Sequence, residues 1–69
     1  MNEMTAWVVI EISTHKPQLV SNSGVWDART PQEVTIFDNM VDARRPLVRF
    51  GVQDVYVPVR VTISISQGA

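Results

Sequence analysis

The side chains of this chain that could act on a substrate or hold a metal are one histidine, seven carboxylates and scattered hydroxyls, and cysteine is absent. His15 stands beside Lys16 and Pro17 in what reads as an exposed turn. With no cysteine and no second histidine, a metal site would have to recruit distant carboxylates, so His15 is taken as a surface turn residue. Ser13, Ser21 and Ser23 fall in turns, and Ser64 and Ser66 on a strand face. None is placed beside the base that nucleophilic catalysis needs. Asp38 and Asp42, four residues apart, could hold a cation or imitate phosphates, but Asp42 is also three residues from Arg45 and can pair with it. They are read as solvated charges. The glycines Gly24, Gly51 and Gly68 are isolated, which leaves no phosphate-cradling loop. The expectation is a protein without catalytic residues, cofactor or metal.

Binding chemistry has more to work with. Arg44, Arg45 and Arg49 form the one basic cluster, and with Arg60, Tyr56 and Phe50 they could contact RNA or an acidic protein surface. Six basic residues against seven acidic give a net charge of −1. That balance lacks the basic excess with which nucleic-acid binders neutralise phosphates, so nucleic acid is disfavoured as partner. The competing reading of the arginines is helix-end capping and strand-face charge. Trp7 and Trp26 are anchors for either a core or an interface.

The element that could present these groups most directly is the last quarter of the chain. Val55, Val57, Val59, Val61, Ile63 and Ile65 occupy every second position, alternating with Asp54, Tyr56, Pro58, Arg60, Thr62, Ser64 and Ser66. Successive side chains of a strand point to opposite faces, so this is a strand with one apolar and one mostly polar face. Unbroken, it runs to about 35–40 Å. Pro58 donates no backbone hydrogen bond and marks a sheet edge or a bend. A long open edge is a template for another chain, and Tyr56, Arg60 and Thr62 would meet it.

Upstream, Ala6–Ser13 reads as a first strand, with Val8, Ile10 and Ile12 on one face and Trp7, Val9 and Glu11 on the other. If the first set covers a helix, Trp7 and Val9 form an outer patch beside Tyr56. A second strand is expected within Gln18–Trp26, around the turn-forming Ser21-Asn22-Ser23-Gly24. Thr30-Pro31-Gln32-Glu33 has the form of a capping box with proline at the first helical position. Val34, Ile36, Phe37, Met40, Val41 and Ala43 then share one half of a helical wheel, and Pro46 follows Arg44 and Arg45 as a stop. The pattern predicts a helix over Pro31–Arg44. Its competitor is a short strand over Val34–Phe37, which would make an all-β barrel. Leu47–Phe50 reads as a third strand and the alternating segment as a fourth. The expected fold is α+β in the order β-β-α-β-β, with one amphipathic helix on one face of an antiparallel sheet of three or four strands.

The 69 residues are enough for a single domain with a thin core. Glu3 stands where a signal peptide needs basic residues, and the apolar run Ala6–Ile10 is short for a signal core or a membrane span. A cytoplasmic setting away from membranes is expected. The stretch from Trp7-Val8-Val9-Ile10 through Gly24-Val25-Trp26-Asp27-Ala28-Arg29-Thr30-Pro31-Gln32-Glu33 to the last strand resembles a broad group of very small β-β-α-β proteins carried by phages and mobile elements. That resemblance implies a non-enzymatic role, binding a host protein to inhibit or redirect it. The long final strand departs from the group. Two other roles remain open. One is a structural subunit that self-associates through the final strand, as in a homodimer. The other is a weak binder of RNA or single strands.

Overall fold

A computed structural model describes residues 2–64 in full and the backbone of residue 65. The elements are β1 (Asn2–Glu11), β2 (Gln18–Ser21), β3 (Gly24–Asp27), a 3-10 turn (Pro31–Glu33), α1 (Met40–Phe50) and β4 (Tyr56–Ile65). The fold is α+β, with one helix and antiparallel strands in two small sheets. The end of the expected last strand, Ser66, lies outside the described residues. One sheet is the long ribbon β1–β4, registered from Asn2 opposite Ile65 to Glu11 opposite Tyr56. The other is the hairpin β2–β3, which resolves the expected second strand into two around the Ser21–Gly24 turn.

The helix is not where the capping box places it. Thr30 makes no side-chain cap, and the Glu33 carboxylate accepts from the Arg29 N–H instead of the Thr30 N–H. A single 3-10 turn results, after which the chain runs extended to Phe37. The working N-cap is Asn39, whose Oδ1 accepts from the Asp42 N–H at 2.9 Å. At the other end Gly51 is left-handed, with φ of 67°, and the Val52 N–H reaches the Leu47 carbonyl at 3.0 Å. Leu47–Phe50, expected as a strand, is therefore the last part of α1, and Pro46 lies inside the helix. The order is β-β-β-α-β. Ala43 and Leu47, four residues apart, are both buried. Burying Leu47 on the face of Ala43 requires the helix to continue past Pro46.

The faces of the ribbon are also exchanged relative to expectation. Val9, Ala43 and Leu47 form the core cluster, and Trp7, Val20, Val25, Phe37, Val52 and Tyr56 pack on it. Thus α1 lies on the face of Trp7, Val9 and Tyr56. The aliphatic face pairs Ala6 with Val61, Val8 with Val59 and Ile10 with Val57. It is partly covered by the segment that carries Pro31, Val34 and Ile36, which shares a cavity with Val8, Val61 and Ile63. Toward the ribbon ends Met4, Ile12, Val55 and Val57 are exposed. The period-two alternation is satisfied whichever face α1 covers. Val9 is fully buried in the cluster with Ala43 and Leu47, and Val8, Ile10, Val59 and Val61 take the opposite face.

Candidate functional site

The backbone geometry of the ribbon determines what it offers to a partner. The Trp7 N–H donates to the Phe37 carbonyl at 2.9 Å, and the Phe37 N–H to the Trp7 carbonyl at 2.8 Å. The Glu11 N–H donates to the Lys16 carbonyl at 3.0 Å. Odd-numbered residues of β1 therefore turn their peptide groups away from β4, and even-numbered ones turn toward it. The bond from the Ile12 N–H to the Val55 carbonyl, 2.9 Å, agrees with this phase. By the register, Val57, Val59, Val61 and Ile63 bond to β1. Tyr56, Pro58, Arg60, Thr62 and Ser64 direct their backbone groups outward. The Tyr56 N–H is taken by the Val52 carbonyl at 3.1 Å. From Pro58 to Ser64 no strand among the described residues pairs with this outer edge. Pro58 sits where its missing N–H leaves the β1–β4 ladder intact, as an edge proline should.

The residues picked out from sequence separate into three groups. Arg60 and Thr62 are exposed on β4, opposite Trp7 and Thr5, and their backbone groups belong to the open edge. Arg44, Arg45 and Arg49 are exposed on α1, where Met40, Val41 and Val48 stand among them around a shallow depression of about 410 Å³. Trp7, Val9 and Tyr56 are core. Val9 is fully buried, while Trp7 and Tyr56 are half-buried against its cluster. The outer Trp7–Val9 patch is corrected accordingly: α1 covers that face. Met4, Ile12, Val55 and Val57 replace it as exposed apolar residues on the opposite face. Their alternation was visible in the sequence, but the side chosen by the helix was not.

The groups with reactive chemistry are occupied locally or stand apart. The Thr14 hydroxyl donates to Glu11 Oε1 at 2.7 Å, and the Ser21 and Ser23 hydroxyls lie 3.1 Å apart in the hairpin turn. Asp42 holds Asn39 and stands 3.8 Å from Arg45. Among the described residues no three of His, Asp and Glu gather into a metal-holding group. No helix among them is long and apolar enough to cross a membrane. Gln18 is the one buried polar side chain among the described residues, its amide donating to the Lys16 carbonyl at 2.9 Å and to Asp27 Oδ1 at 2.8 Å. It joins the β1–β2 turn to the end of β3, a structural role that nothing in its sequence neighbourhood signals.

In comparisons with known proteins, the chain matches no family model, no curated protein and no solved structure.

Proposed function

We propose that this chain is a non-enzymatic protein-interaction module, an inhibitor or adaptor that takes a strand of a host protein onto the outer edge of β4. The observation that carries this reading is the outer edge of Pro58–Ser64, with which no strand among the described residues pairs, held in extended form by β1 behind it. Strand addition draws affinity from main-chain hydrogen bonds and selectivity from alternate side chains. The N–H and C=O of Arg60 and Thr62 supply the first. Their exposed side chains, with Ser64, supply the second.

Thr62 provides the test. Its N–H points away from β1, so Thr62→Pro removes one outward donor and leaves the β1–β4 ladder complete, while Thr62→Val keeps the donor. Both variants are expected to melt near the parental temperature. A partner recovered from host lysate and identified by mass spectrometry should be lost with Thr62→Pro and retained with Thr62→Val. Equal recovery by a folded Thr62→Pro variant excludes this stretch as the contact.

Exposed Met4, Ile12, Val55 and Val57 support a second reading, in which a second copy of the chain is the partner. An antiparallel edge can pair with itself about a two-fold axis, which would set two such aliphatic faces side by side. Sedimentation distinguishes the readings: a strict monomer at high concentration removes self-assembly and leaves the host-partner reading in place.

A further inference from the structure

The outward face of α1 carries a pattern that the fold does not use. Ala43 and Leu47 turn inward to Val9. On the opposite side, Val41, Arg44, Arg45 and Val48 follow one another at the i, i+3, i+4, i+7 spacing of a helix-docking surface. Val41 is 60% exposed and Val48 53%. Arg44 flanks them on one side, and Arg45 and Arg49 on the other, with Met40 at the end of the same depression. Asp42 stands 3.8 Å from Arg45, and with neither side chain buried the contact holds little of the charge. Arg44 and Arg49 form no ion pair among the described residues.

We propose that this face docks an acidic amphipathic helix of a partner protein, its aliphatic residues on Val41 and Val48 and its carboxylates on Arg44, Arg45 and Arg49. The proposal rests on the reading of the chain as an interaction module, but it uses a surface separate from the β4 edge. Charge complementarity selects the occupant. Three guanidinium groups around an apolar centre match carboxylates around an aliphatic stripe, and such charges orient and select a partner. Phosphates would match the arginines alone and would leave the two valines facing a polar backbone. An anionic membrane would need a larger apolar face, whereas the inward residues of α1 are already buried.

The test uses a labelled synthetic helical peptide of about 20 residues, built of Leu, Ala and Glu with a leucine stripe between rows of glutamate. Its controls are the same peptide with every Glu replaced by Gln, a single-stranded RNA oligomer, and vesicles containing anionic lipid. The glutamate peptide should bind at low salt, with the glutamine peptide and the RNA at least about tenfold weaker and the vesicles unbound. Arg44→Glu with Arg49→Glu, and separately Val48→Asp, should each weaken the peptide by about tenfold or more while the circular dichroism spectrum stays parental. Should a charge reversal disturb folding, Arg44→Gln with Arg49→Gln takes its place and should show the same direction. Thr62→Pro should leave this affinity unchanged, so failure here is separable from failure at the edge. Absent binding, equal binding of the two peptides, or tighter binding to RNA or vesicles overturns the proposal.

Discussion

Thr35 ties together two pieces of chain that share no ladder. Its hydroxyl accepts from the Val20 N–H at 2.8 Å and donates to the Val20 carbonyl at 3.2 Å, while its own N–H reaches the Gln18 carbonyl at 3.3 Å. The extended segment before α1 is thereby fastened to β2. On a helical wheel Thr35 reads as a solvent-facing residue, because the wheel has no means of representing a contact fifteen residues away. Valine at this position keeps the shape and removes both side-chain bonds, leaving a half-buried N–H without its acceptor. Thr35→Val is expected to cost about 1–2 kcal/mol, measured by urea denaturation. Unchanged stability would show that the clamp carries no weight.

At the scale of elements, the helix shows two sets of sequence signals in competition. Thr30-Pro31-Gln32-Glu33 and Pro46 form a plausible start and stop, and Asn39 and Gly51 form another. The second set wins because the stretch from Met40 to Phe50 buries Ala43 and Leu47 on Val9. Phe37, freed from the helix, pairs with Trp7 through two backbone bonds. Pro46 is the concession within α1, since it withdraws the donor that would serve the Asp42 carbonyl. Interior proline costs a helix about 3 kcal/mol. Pro46→Ala should therefore stabilise the chain by about 1–3 kcal/mol and raise its melting temperature by several degrees. A fall in melting temperature would mean that packing of the proline ring outweighs the missing bond.

For the whole molecule, the ribbon sets the shape: extents of 43 × 24 × 22 Å, with the long axis exceeding the others by nearly a factor of two. Among the described residues only Ala6, Val8, Val9, Ala43 and Leu47 are buried hydrophobic residues. A chain of this size has roughly 3–10 kcal/mol of stability. Leu47 lies at the centre of the core, and Leu47→Ala is expected to cost about 2–5 kcal/mol. That is enough to leave a large fraction unfolded at moderate urea, as circular dichroism would report. A shift in midpoint no larger than that of an exposed substitution would show that the core lies elsewhere.

Local pattern located the two long strands from sequence alone, because a strand's facing pattern is a property of consecutive residues. Period-two alternation in residues 55–65 falls on β4, and β-branched density in residues 6–13 overlaps β1, which starts at Asn2 and ends at Glu11. The same local signals misread Leu47–Phe50, which is helical. The missing donor of Pro58 left a sheet edge or a bend open, and of the two the strand order gives the edge. Tertiary structure decided the rest. Trp7 and Val9 could face α1 or the outside while Val8 and Ile10 took the other side, and each assignment satisfies the alternation. The position of α1 followed the deepest available burial rather than the better-looking cap. Among the candidate binding residues, the exposure of Arg44, Arg45, Arg49, Arg60 and Thr62 agrees with their polarity. The burial of Val9 and the partial burial of Trp7 and Tyr56 became visible only when the helix was seen to lie over them. A cap or an alternation contributes on the order of 1 kcal/mol locally, whereas burying a cluster such as Val9, Ala43 and Leu47 contributes several, so long-range packing overrode the local signal where the two disagreed.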